Sequence, residues 1–98
     1  MINKVTICGI EHTVELCSDD FNIDLHLGQI DYSQAKIKIN ADAAESIQQQ
    51  SLCHEILHAM LVLLGYNDLT NDEQFVQALS CAINQTFTLK GVTNESST

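Results

Sequence analysis

Up to about residue 40, apolar residues alternate with polar ones; from residue 43 they recur at helical spacing. Val5 to Cys8 and Thr13 to Leu16 are β-prone runs separated by Gly9-Ile10-Glu11-His12, which predicts a hairpin. Phe21, Ile23, Leu25 and Leu27 alternate with Asn22, Asp24 and His26, a period of two that favours a strand over a short connecting helix. Gly28 breaks that run. Ile30 to Tyr32 and Ala35 to Asn40, joined through Ser33 and Gln34, predict a second hairpin. Its latter strand alternates Ile with Lys, as an exposed sheet edge does.

The helical stretch opens with Asp42 and Glu45 in the spacing of a capping box and meets no breaker before Gly65. Ala44, Ile47, Leu52, Ile56, Ala59, Met60 and Leu63 offer it a wide apolar face. Asn67 to Asn71 reads as a turn. Thr70 and Glu73 are spaced to cap a second helix with apolar positions Phe75, Val76, Leu79, Ala82, Ile83 and Phe87. Strands first and helices after them predict an α+β fold: a short antiparallel or mixed sheet packed on the long helix, followed by the second helix. Residues 1–90 form one domain on this reading, and residues 91–98 have too few apolar side chains to be held down.

Ninety-eight residues with 45% hydrophobic content make a thin core, one that a bound metal would help to stabilise. Four Lys and Arg against thirteen Asp and Glu give a net charge of −9. Such a chain repels phosphate backbones and anionic lipid, so direct nucleic-acid and membrane binding are not expected. No apolar run is long enough to span a bilayer, and the first residues lack the form of a signal peptide, so the expected location is the cytoplasm. There Cys8, Cys17, Cys53 and Cys81, none in a CxxC pair, are expected to be reduced and mostly buried.

The chemistry lies at His54-Glu55-Ile56-Leu57-His58. Residues i and i+4 of a helix stand one above the other, so two imidazoles there can converge on one zinc ion. Glu55 projects beside them as general base toward a water that the ion activates. A chain of this composition contains about 0.01 such matches by chance, and this one falls within a predicted helix. Cys53, about 100° round the helix from His54, is badly placed to share the ion.

A third protein ligand is needed. Glu73, after the turn, is the best candidate, although its place in a capping box offers a purely structural role. Asp72 and Asp68 are fallbacks, and Gln77, one turn on, is a poor ligand. His12 and His26 are weaker candidates, His26 being placed for an outward strand face. Tyr32 and Tyr66 have the phenol that can steady an oxyanion, but their spacing singles out neither.

Ile30-Asp31-Tyr32, Lys36 to Ile39, Leu52 to Ala59 and Asn71 to Val76 together resemble small phage-type zinc metallopeptidases related to the ImmA/IrrE group, within the gluzincins. The resemblance spans roughly residues 5–87, and its most specific part is the HExxH segment. It implies a minimal zincin-like fold, a Zn2+ cofactor, and Glu73 as the third ligand beside His54 and His58. It also implies a protein or peptide substrate, with a phage or mobile-element transcriptional repressor as one such substrate. Gln77 stands where similar sequences often carry an acid, so a ligand one turn later is the competing register. Two functions follow: a zinc endopeptidase whose substrate strand adds to the Lys36–Asn40 edge, or a zinc-stabilised protein-binding module without turnover, which the small cleft of so short a chain favours.

Overall fold

The computed structural model describes residues 2–18 and 28–93, with the side chains of Val92 and Thr93 left aside. The strand expected over Phe21 to Leu27, with His26, and the end of the expected tail lie outside the described residues. The order is β1 (Ile2–Ile7), β2 (Ile10–Cys17), β3 (Gly28–Asp31), β4 (Lys36–Asn40), α1 (Glu45–Leu63), α2 (Asn67–Thr70), α3 (Glu73–Thr86) and β5 (Val92–Thr93). The fold is α+β, with a mixed sheet in the order β3-β4-β2-β1-β5.

Both expected hairpins form. Cys8 and Gly9 have φ of 50° and 82°, the left-handed pair that matches a two-residue turn to the twist of its strands. At the second hairpin the Asp31 carboxylate accepts hydrogen bonds from Ser33 Oγ (2.7 Å) and the Gln34 amide (3.2 Å), and Ala35 closes the turn at φ 51°.

The edge assignment needs correction. β4 pairs in parallel with β2 on one side and antiparallel with β3 on the other, so Lys36–Asn40 is an interior strand. Its lysines stand half-buried on the sheet face away from α1, where Lys36 Nζ meets Glu15 at 3.0 Å; among the described residues the outermost strand on this side is β3. Alternation reports which face of a strand is wet and carries no information about its neighbours.

The other face is apolar. Val5, Ile7, Val14, Ile37 and Ile39 pack there against Leu52, Ile56 and Ala59 of α1. Cys53, Leu57 and Leu61 are also buried, on an adjoining stripe of α1, and Leu57 and Leu61 pack with Val76 of α3. Two apolar stripes on one helix leave a single open face, and His54 falls on it. Ile47, Met60 and Leu63, expected in the core, are exposed, as are Leu79 of α3 and Phe87 just past its end. Buried Ser80 takes a place on α3 that apolar spacing had not marked.

The helix ends fit the sequence unevenly. At Gly65 (φ 87°) the amides of Gly65 and Tyr66 donate to Val62 and Leu61 carbonyls, the paired closure that a left-handed glycine allows. At the start of α1 the N-cap is Ala44, and no side chain caps it. The expected Asp42–Glu45 box is absent; Gln48 Nε2 instead reaches back to the carbonyls of Asn40, Ala41 and Ala43 at 3.1–3.3 Å. The expected turn after Gly65 contains α2.

All four cysteines are free, but only Cys53 is buried. The expected tail also begins too early, because Val92–Thr93 adds to β1 as β5. A Cβ at Gly91 would stand 2.5 Å from the Lys4 carbonyl oxygen, so glycine is what lets the chain come this close. No helix among the described residues is long and apolar enough to cross a membrane.

Candidate metal centre

His54 and His58 project from the open face of α1 with ring centroids 4.8 Å apart and planes 62° apart. Their Nε2 atoms face each other at 3.1 Å. Two nitrogens bound to one ion at 2.0–2.1 Å in tetrahedral geometry stand about 3.3 Å apart, so the rings already hold nearly that spacing.

Glu73 closes the triangle from the first turn of α3. Its Oε1 lies 2.9 Å from His58 Nε2 and its Oε2 lies 3.3 Å from His54 Nε2. The three residues form a group able to hold a metal ion. The fallback acids stand elsewhere: Asp72 caps α3, accepting from the Phe75 amide at 3.0 Å, and neither it nor Asp68 joins the group. Asp72 also displaces the expected Thr70 cap, which frees Thr70 for another partner.

That partner is His58, whose Nδ1 lies 2.8 Å from Thr70 Oγ1. His54 Nδ1 lies 2.8 Å from Gln77 Oε1. An amide oxygen only accepts, so neutral His54 carries its proton on Nδ1 and turns a bare Nε2 toward His58 and Glu73. Burial lowers the His58 pKa, against the raising effect of Glu73, and so favours the neutral ring that a metal needs. The Thr70 hydroxyl can accept from His58 Nδ1, and in that tautomer His58 also turns a bare Nε2 toward Glu73, an arrangement that a cation satisfies. The donor set of two imidazoles and a carboxylate suits zinc.

Gln77 was weighed from sequence only as a ligand, yet the signal for its actual place was present: it follows Glu73 by four residues and shares its helix face. Replacing Gln77 with Leu is expected to weaken zinc binding about 10–100-fold, as loss of a partner to a ligating histidine does. Competition titration against a chromophoric chelator measures this, and unchanged affinity would show that the Gln77 contact is idle.

Glu55 lies in the same cleft, half-buried, and burial pushes its carboxyl up to about 7, with nearby Glu73 adding to the rise and His54 opposing it. Gly28 of β3 sits over it. A Cβ there would lie 3.0 Å from Ile39 Cδ1, 3.3 Å from Glu55 Cγ and 3.4 Å from the Lys38 carbonyl oxygen. Gly28→Ala is therefore expected to cost about 1–2 kcal/mol through overpacking. The midpoint of urea denaturation reads this; an unchanged midpoint would mean that β3 moves aside freely.

The cleft has a volume of about 800 Å³ and runs along α1 between β3 and α3. Burial first, and then the charge of Glu55, raise the Tyr32 pKa; Tyr32 and Tyr66 are both exposed, and neither lines the cleft. His12 is not part of the site. It is buried in β2 with Nδ1 donating to the Ile10 carbonyl at 2.9 Å, a satisfied core histidine.

No known family, no curated protein and no solved structure matches this chain.

Proposed function

We propose that this chain is a zinc-dependent peptide-bond hydrolase, built as a minimal zincin-like domain. One observation carries the reading: two imidazole nitrogens and a carboxylate converge within 4.8 Å of one another, while a half-buried Glu55 lies in the same cleft.

His54, His58 and Glu73 would hold the ion, and Gln77 and Thr70 fix the ring orientations. When bound, zinc supplies a Lewis acid that polarises the scissile carbonyl and makes water acidic near neutral pH. Glu55 takes the proton from the attacking water on its carboxylate and returns it to the departing amide nitrogen. Glu55 must be ionised for the first step, a form that a bound divalent ion would favour. The outer edge of β3 offers main-chain groups to an extended peptide, laid beside Gln29 and Ile30 at the cleft, and such pairing is sequence-tolerant. The substrate is a protein or peptide; the resemblance to phage-type peptidases suggests a transcriptional repressor, met in the cytoplasm.

The second reading is a zinc-stabilised binding module without turnover. It draws on the exposure of Glu73, whose side chain is 67% accessible, because a good catalytic cleft excludes more water. Elemental analysis after dialysis, combined with release of new amino termini from a mixed peptide pool, separates the two. One zinc per chain with turnover supports the hydrolase. One zinc with peptide binding and no turnover selects the module, and no zinc removes both.

A further inference from the structure

The basic residues are confined to one part of the fold, where Lys4 and Lys36 are paired with Glu11 and Glu15 of the sheet. Lys4, Lys36, Lys38 and Lys90 are the only basic residues apart from histidines, and all lie outside the helices. The helices contribute Glu45, Glu55, Asp68 and Glu73, with Asp72 as the cap of α3, and no Lys or Arg. A bound divalent ion offsets two of those charges and leaves the helical layer anionic. Such a surface draws cationic partners from a distance and repels acidic ones.

Within the cleft the chemistry changes. Beyond the metal group and Glu55, its walls include Gln29, Ile30, Ser46, Ile47, Gln50 and Ser51, all uncharged. Gln50 is already committed: its Nε2 donates to Ser80 Oγ at 3.1 Å, and its Oε1 accepts from Asn84 Nδ2 at 3.1 Å. It has no counter-charge to offer. Ile47, 42% exposed, stands two turns before Glu55 on α1 as an apolar grip in this wall. An anionic side chain set against these walls loses water without gaining a counter-charge among the described residues, whereas an apolar one gains buried area.

We propose that the cleft takes a basic polypeptide segment with an uncharged centre, whose apolar side chain packs on Ile47. The inference deepens the hydrolase reading by naming its substrate class, and occupancy of the cleft does not itself require turnover.

The test uses fluorescent peptides of equal length with one shared uncharged centre, flanked either by Lys or by Glu. A third peptide keeps the Lys flanks and replaces the central Leu with Asp. Binding is read by anisotropy on the zinc-loaded Glu55→Gln chain, and cleavage on the zinc-loaded wild type. The Lys-flanked peptide is expected to bind at least about tenfold more tightly than the Glu-flanked one at low salt, with the gap closing at high salt. The central Asp is expected to cost about tenfold more, as an unpaired polar group in an unsuited pocket does. Ile47→Lys should reverse the order of central Leu and Asp, its zinc stoichiometry certifying the fold. Equal binding of both flanked peptides, or an order that Ile47→Lys leaves alone, overturns the proposal. The expected binding order without cleavage removes the hydrolase reading and keeps this one; cleavage without that order does the reverse.

Discussion

Glu55→Gln is expected to lower peptide hydrolysis by about 10²–10⁴-fold, the usual contribution of a positioned general base, while zinc stays bound at one per chain. The amide has nearly the shape of the carboxylate and keeps its packing against Gly28, but it cannot take a proton from water. His54, His58 and Glu73 are untouched by the change, so metal content should not move. Hydrolysis at the wild-type rate would exclude Glu55 as the base, and loss of zinc would assign it a structural part.

The same variant carries a stability signature of opposite sign. In the metal-free chain Glu55 ionises near 7, against a value of 4.5 for an unburied glutamate. The folded state therefore holds the proton more tightly, and stability is lost as pH rises from about 4.5 through 7. Gln carries no such penalty. The metal-free variant should match the wild type near pH 4.5 and exceed it above pH 7 by a few kcal/mol at most. Thermal denaturation in chelator across that range reads the difference. A residue that destabilises its own fold in the ionised state, yet lies in the cleft beside His54, is the pattern expected of a working carboxylate rather than a packing one.

The parts of the fold set by local rules were legible in the chain. The first hairpin, the stop at Gly65 and the change of period near residue 43 each depend on a few neighbouring residues. The turn of that hairpin is Cys8-Gly9, however; Ile10 to His12, expected in it, belong to β2. What depends on contacts far along the chain was not. Parallel pairing of β2 with β4 gives Lys36 and Lys38 the same alternation that an edge strand would have. The return of β5 to β1 is visible only as Gly91, whose meaning needs Lys4 beside it. At the site, His54, Glu55 and His58 were plain because helix geometry links i to i+4. Glu73 was named as the candidate beside them with its cap role still in competition, since Thr70 looked like the cap. Asp72 serves there instead, and Thr70 turns to His58. Gln77 was set aside as a poor ligand, and its contact with His54 was not anticipated, because it depends on how α3 packs against α1.

Zinc itself is expected to stabilise the chain by about 4 kcal/mol once the free ion stands a thousandfold above its Kd. For a domain of this size that amounts to a rise in Tm of roughly 15–30 °C. The reason is the thin core. Leu52, Ile56 and Ala59 secure α1 to the sheet, but α3 meets α1 through one small cluster of Leu57, Leu61 and Val76 and a seam of hydrogen bonds. An ion held by His54 and His58 from α1 and by Glu73 from α3 ties those helices together. Without metal, the contacts of Glu73 with the two imidazoles are exposed pairs of the kind worth about 0–1 kcal/mol. Glu73→Gln should therefore change the stability of the metal-free chain by no more than that, yet lose most of the rise that zinc produces. His58→Ala should abolish the rise outright. If the cluster were an ion pair and no more, zinc would leave Tm unmoved, and acidification that protonates the histidines would strengthen it. On the metal reading acid does the opposite, because protons compete with the ion for Nε2, and the zinc-dependent part of Tm should vanish as pH falls below about 6.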